Sequence, residues 1–316
     1  MRGVECLECG RGSANIITRF NCIHSQFTED VEDVVIEDEW ANTWDGRQFL
    51  NFQDNDWNIL LFATDDNFVK LSQCDTVFID GTFKTCPAPY EQFVSLHGIY
   101  IDRALPFVLC LMGGRTVGHY RRLLAHVKQE VRRITGRNWR PRLVISDFEN
   151  AILIALQTEL RRTQVRGCYF HFTQSLWRRI QSIGLAPAYN NSRRLRACLR
   201  KFMAIGYLPV AVVRNNFHLH ANDIDTQRLC HRYPQLREFI EYLDRNYVRA
   251  VAQFPTAMWN VYDRDIDTRT NNHVEGNNNI VRNNKYNLNK IYFKSDNNSI
   301  EYNDNNNNKN NINNNK

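Results

Sequence analysis

The sequence predicts an α/β protein, a mixed five-stranded sheet flanked by helices, with an all-helical insertion late in the chain. Three observations carry this. β-branched apolar runs and amphipathic stretches follow one another in the order βββαβαβα, the order of a sheet covered by helices. Acidic residues close two of the runs, in Phe78-Ile-Asp80-Gly-Thr-Phe83 and in Leu143-Val-Ile-Ser-Asp147-Phe148. Helical periodicity then takes over between Ser192 and Phe254, ahead of a lone glutamate in Thr270-Asn-Asn-His-Val-Glu275-Gly276-Asn277.

The elements follow in order. The first seventy residues are irregular and acidic, densest in charge from Glu29 to Glu39. Within them Trp57, Leu60, Leu61, Thr64 and Phe68 recur at helical spacing and predict a short helix leading into the core. Three strand-like runs come next, Thr76 to Asp80, Phe93 to Tyr100 and Ala104 to Met112. Pro87, Pro89, Asp102 and Gly113-Gly114 separate them, which predicts an antiparallel meander. Val117, Tyr120, Leu124, Val127, Val131 and Ile134 line one face of a helix, with most of the basic residues elsewhere on it. Pro141 precedes a strand at Leu143 to Ser146; a helix at Glu149 to Arg161, a strand at Gln164 to Tyr169 and a helix from about Phe172 to Ile183 complete the order. The insertion, at about 190–255, shows its apolar stripe in Leu195, Leu199, Phe202, Leu236, Phe239, Ile240, Leu243 and Tyr247. From Asn283 to Lys316, 16 of 34 residues are Asn, too few of the rest apolar to offset the entropy of ordering, so 281–316 are expected to form a disordered tail.

Composition narrows the class. With 316 residues and 43% hydrophobic content the chain can bury a real core. The longest apolar stretches, such as Leu105 to Met112, fall well short of the roughly 20 residues of a spanning helix, and Met1-Arg-Gly-Val-Glu-Cys lacks the apolar core of a signal peptide. A soluble, intracellular protein with no membrane partner is expected. Nine cysteines read as reduced thiols or metal ligands rather than as a disulfide framework. Charge is split along the chain: residues 1–80 hold 5 Lys and Arg against 16 Asp and Glu, whereas 81–280 hold 29 against 15, a net of +14. Of those 29, 26 are Arg, whose planar fork binds phosphate through two hydrogen bonds, so a nucleic-acid partner is expected. A solvated basic face on a soluble domain is the plainer alternative.

Carboxylates at strand ends suit divalent cations. Two hard cations about 4 Å apart clamp the attacking and leaving oxygens of a phosphodiester, and Mg²⁺ takes oxygen ligands such as Asp and Glu. Asp80 and Asp147 close the first and fourth strands, which are expected to be neighbours, and Glu275 would arrive after the insertion as a third ligand. Gly81 lets a phosphate or metal approach the backbone. Equally, an Asp closing a strand is often a turn former. A proofreading-type exonuclease would need an acid two residues after Asp80, where Thr82 stands. The basic run of Arg178, Arg179, Arg193, Arg194, Arg196, Arg200 and Lys201 is interleaved with Trp177, Tyr189 and Phe202, as a DNA-tracking surface needs; an ordinary basic helix would look the same.

Four segments together resemble the MULE (Mutator-like element) transposase domain: Phe78-Ile-Asp80-Gly-Thr-Phe-Lys84, Ile145-Ser-Asp147-Phe-Glu-Asn-Ala151, Gly167-Cys168-Tyr-Phe-His171-Phe-Thr-Gln-Ser-Leu-Trp177 and Thr270-Asn-Asn-His-Val-Glu275-Gly-Asn277. The resemblance covers about residues 75–280. It implies a ribonuclease H-like fold with a helical insertion, a DDE triad of Asp80, Asp147 and Glu275 on two Mg²⁺ or Mn²⁺ ions, and strand cleavage at element ends followed by joining to target DNA. DNA, a second copy of the chain and a nuclear location follow from that function. The chain then divides into an acidic region at 1–70, the transposase domain at 71–280 and the tail. Cys168-x₂-His171 also matches a motif of the family; it offers two zinc ligands of the four a structural site needs, or else a buried strand-end thiol and a helix-opening histidine near the scissile DNA. Cys6, Cys9, Cys22 and His24 supply four potential Zn²⁺ ligands at the N-terminus, where family members often carry a zinc module. Asn-rich sequence soon after Glu275 leaves only Ile280 and Val281 to anchor its helix, so a truncated or weakly active copy is expected. The competing class is a domesticated DNA-binding or regulatory protein without catalysis.

Overall fold

The computed structural model describes residues 41–43, 45–82, 86, 89–101 and 103–265. Glu275, the four N-terminal zinc candidates Cys6, Cys9, Cys22 and His24, and the Asn-rich tail lie outside them.

Seven strands form one mixed sheet: β1 (Leu50–Asp54), β2 (Ile59–Phe62), β3 (Thr76–Thr82), β4 (Gln92–Tyr100), β5 (Arg103–Met112), β6 (Leu143–Ser146) and β7 (Gln164–Gly167). Their spatial order is β1-β2-β5-β4-β3-β6-β7. The meander of β3, β4 and β5 is antiparallel, whereas β6 and β7 run parallel to β3. The expectation of five strands is thus corrected to seven, because β1 and β2 add an antiparallel hairpin at the β5 edge, inside the stretch read as an acidic N-terminal region.

The same hairpin corrects the helix expected around Trp57 to Phe68. Ile59 to Phe62 are four consecutive buried apolar residues, which is how a strand covered on both faces reads. Asn58, at φ 50, turns the chain into β2, and its carbonyl accepts from the Gly113 N–H. The helix α1 (Asp65–Gln73) starts only after Thr64, whose side chain and that of Asn67 form a reciprocal capping box. Leu60, Leu61, Thr64 and Phe68 fit a 3.6-residue period by coincidence, an ambiguity inherent in short apolar runs.

Pleating sorts the sheet into two faces. Ile59, Leu61, Val77, Ile79, Val94, Leu96, Val108, Cys110 and Met112 belong to a core shared with α1, α2 (Val117–Thr135) and α3 (Asn150–Glu159). Helix α2 contributes Tyr120, Leu123, Leu124, Val127 and Val131, and ends on Gly136 in the left-handed conformation, φ 69. Each such buried side chain stabilises by about 1.5–3 kcal/mol. Phe78, Leu143 and Ile145 point the other way and pack with Cys168.

Beyond β7 every regular element among the described residues is helical: α4 (Tyr169–Ser182), α5 (Ala186–Asn191), α6 (Arg193–Ala204), α7 (Val210–Asn222), α8 (Ile224–Arg232), α9 (Gln235–Leu243) and the short α10 (Thr256–Trp259). Trp259 is fastened under α4, stacked on Phe172 at 4.5 Å. Among the described residues the cysteines are free thiols, and no helix is long and apolar enough to cross a membrane.

One buried histidine makes the fold sensitive to acid. His97 on β4 is 1% exposed and its Nδ1 has no hydrogen-bond partner. Burial holds its pKa down at about 3, against 6.5 in the unfolded chain. Between those values the unfolded state binds the extra proton, so stability falls as pH drops below about 6.5 and the loss is complete near 3, with a slope of up to about 1.4 kcal/mol per pH unit. Urea unfolding of the wild type and of His97→Gln across pH 4–7 should give converging pH slopes only if the histidine is not the cause.

Candidate active site

Strand β3 runs two residues past Asp80. In the parallel ladder with β6 the last pair is Ile79↔Ser146, so Asp80 and Asp147 each occupy the next position on neighbouring strands. Adjacent strands lie about 4.8 Å apart, so register alone brings the two residues together at the carboxyl edge of the sheet. Asp80 is 4% exposed, shares its face with Phe78, and stands opposite Ser95 of β4, whose fully buried hydroxyl has no partner. Asp147, just outside β6, is partly exposed. Its Oδ1 accepts the Glu149 backbone N–H at 3.2 Å, a local turn that leads directly into α3.

Two carboxyls at this edge, those of Asp147 and Glu149, are held above their ordinary values. Burial pushes the Asp147 carboxyl up, with the Glu149 N–H opposing it. Glu149 is also pushed up, by burial first and by the charge of Asp147 second, against the Tyr120 hydroxyl and Arg115. A divalent cation relieves that imbalance, and the donor set, oxygen only, fits Mg²⁺ or Mn²⁺. Among the described residues no group of three or more His, Cys, Asp or Glu side chains could hold a metal ion.

Cys168 and His171 diverge in role. Cys168 is 1% exposed, caps the start of α4 and packs with Phe78, Leu143 and Ile145. His171, in the first turn of α4, turns its Nε2 to within 3.8 Å of Asp80 Oδ1. Burial, helped by Arg178, holds its pKa down at about 4, so at neutral pH it faces Asp80 as an uncharged ring.

The basic residues gather around Tyr189. Helix α6 buries Leu195, Cys198, Leu199 and Phe202, which turns Arg193, Arg194, Arg200 and Lys201 to solvent. The Arg196 guanidinium lies 5.9 Å from the Tyr189 ring, Arg200 Nε donates to the Tyr189 hydroxyl at 3.3 Å, and Trp177 meets the same ring edge-on at 5.0 Å. Arg178 is exposed on α4, while Arg179 is engaged instead by Glu238 at 3.4 Å and by the Tyr242 ring.

Sequence reading missed the polar groups behind the aspartates. Tyr120, counted there as one more apolar-face residue of α2, places its hydroxyl 2.9 Å from Gln92 Oε1 and 3.0 Å from Glu149 Oε2. The one available signal was the acid two residues after Asp147.

Residues 76–175 match the family model of the MULE transposase domain. No curated protein matches the chain.

Proposed function

We propose that this chain, which carries a MULE transposase domain over residues 76–175, is a transposase-derived protein that cleaves and transfers DNA strands with divalent cations. The observation that carries the reading is the register of β3 and β6, which ends one step before Asp80 and Asp147 and lies inside the matched segment. In this reading Asp80 and Asp147 present oxygen donors to Mg²⁺ or Mn²⁺, which when bound neutralise charge on the attacking and leaving oxygens of a phosphodiester. His171 stands beside Asp80, its Nε2 3.8 Å from Asp80 Oδ1. Burial around Asp80 keeps bulk water from competing for its oxygens.

Glu275 is the third carboxylate of the proposal. Arg264, eleven positions earlier, supports it: the guanidinium donates to the Gly167 carbonyl at 2.8 Å and to the Met258 carbonyl at 2.6 Å. Gly167 pairs with Ser146, so the chain has returned by then to the edge where β6 runs into Asp147. Eleven extended residues reach at most about 36–40 Å, ample for the return.

DNA at the element ends and at the target is the partner in this reading, held through the basic face of α6. The expected result is affinity for duplex DNA that falls linearly in log–log form with salt, each phosphate contact contributing about 0.9 to the slope. Replacing Arg193, Arg194 and Arg200 together with Gln should lower the slope by about 2–3. The test of the whole reading is Mg²⁺- or Mn²⁺-dependent nicking of duplex DNA by the full chain. Salt-dependent binding with no nicking under either ion would instead favour a DNA-binding protein without catalysis.

A further inference from the structure

We infer that Gln92, Tyr120 and Glu149 form a hydrogen-bonded bracket that sets the spacing of Asp80 and Asp147 from behind the sheet, and are positioning residues for the metal carboxylates. The three come from β4, α2 and the residue capping α3, and they meet on the face of the sheet opposite the Asp80 side chain. Tyr120 and Gln92 are each 1% exposed. The Tyr120 hydroxyl shares its single proton between Gln92 Oε1 at 2.9 Å and Glu149 Oε2 at 3.0 Å.

Each end of the bracket abuts one aspartate through the backbone. At the β3 end, the Gln92 amide lies against Gly81, the residue after Asp80: a Cβ there would come 2.1 Å from Gln92 Nε2. Only glycine lets the amide sit so close. At the β6 end, the N–H of Glu149 donates to Asp147 Oδ1 at 3.2 Å, so holding the Glu149 side chain also holds the turn that carries Asp147. The β3–β6 ladder ends at Ile79↔Ser146, one step short of both aspartates, and the bracket spans from Gly81 to Glu149 just beyond it. Ligand carboxylates need holding to within about half an ångström, and groups outside the ligand set commonly do this.

The inference rests on the metal reading of Asp80 and Asp147, and the experiment separates the two. Mn²⁺ is titrated into the full chain with free Mn²⁺ followed by electron paramagnetic resonance, for the wild type, Asp80→Ala, Tyr120→Phe, Glu149→Ala and Glu149→Gln. Tyr247→Phe, which likewise removes a buried hydroxyl, from Ser175 at 2.8 Å, serves as the matched structural control. A bracket predicts a loss of about 10–100-fold in Mn²⁺ affinity for Tyr120→Phe and Glu149→Ala. Glu149→Gln still accepts from Tyr120, and should stay within about threefold of wild type; Tyr247→Phe should bind as wild type does. Equal weakening in Glu149→Gln and Glu149→Ala would make Glu149 a ligand and overturn the bracket. So would wild-type affinity in Tyr120→Phe, or a matching loss in Tyr247→Phe. A wild type that binds Mn²⁺ no better than Asp80→Ala would bring down the metal reading itself, and the bracket with it.

Discussion

Asp80→Ala should abolish metal-dependent nicking of duplex DNA while leaving the fold intact. The carboxylate is 4% exposed and lies 3.8 Å from His171 Nε2, at the end of β3 and inside the segment that matches the family model. On the proposed reading the reaction loses a metal ligand, and if the charge neutralisation that ligand secures amounts to about 4 kcal/mol, the rate falls on the order of 10³-fold. Asp147→Asn is the sharper companion, because the amide oxygen still accepts the Glu149 N–H and preserves the turn into α3 while the negative charge goes. Both variants should bind duplex DNA as the wild type does, since the basic face of α6 is untouched. Nicking that survives in either variant would remove these aspartates from the chemistry.

The largest stability effect is expected at Trp259. The indole is fully buried, stacks on Phe172 with rings 4.5 Å apart and 7° from parallel, and donates its N–H to the Tyr247 carbonyl at 3.1 Å. Tyr247 in turn meets Phe148 and Phe254 ring to ring, so one aromatic cluster ties α10 and the end of the helical region to the residue after Asp147. Trp259→Ala should cost about 3–5 kcal/mol, a large part of a typical domain stability of about 5–15 kcal/mol. For a chain of this size that is a fall in melting temperature of roughly 6–20 °C. Trp259→Phe keeps a ring against Phe172 and loses the hydrogen bond, and should cost about 1–2 kcal/mol. Thermal unfolding that distinguishes the two variants by less than about 1 kcal/mol would mean that stacking does not organise this cluster.

The strands that carry Asp80 and Asp147 were legible because they are written locally. Thr76 to Asp80 and Leu143 to Ser146 are continuous runs of β-branched and apolar residues bounded by turn formers, and no helical period competes with them. The helix of Val117 to Thr135 was legible for the complementary reason, a stripe of Tyr120, Leu124, Val127 and Val131 at the helical period with Gly136 to end it. Strand β2 was not, since Leu60 and Leu61 with Thr64 and Phe68 satisfy either period, and only pairing with Leu109 to Met112 of β5 decides between them. Strand β1, at the sheet edge with Asn51 and Gln53 half in solvent, lacks the apolar content to announce itself.

What the sequence by itself determined, then, is the order of the elements from β3 onward, the alternation that gives Asp80 the same face as Phe78, the concentration of arginine after residue 80 and, over residues 76–175, the match to a MULE transposase domain. These depend on neighbours within a few residues, where backbone period and side-chain chemistry act directly. The expectation that the strands of Asp80 and Asp147 lie side by side holds; the tertiary structure alone decided that the sheet has seven strands, that the β3–β6 register ends at Ile79↔Ser146, and that Arg179 is taken up by Glu238. It alone brought the Tyr120 hydroxyl within 3.0 Å of both Gln92 and Glu149, 28 and 29 positions away. Hydrogen bonds between such distant residues leave no period in a sequence; they exist only once the apolar faces of the sheet and of α2 have packed and fixed where each polar group must point.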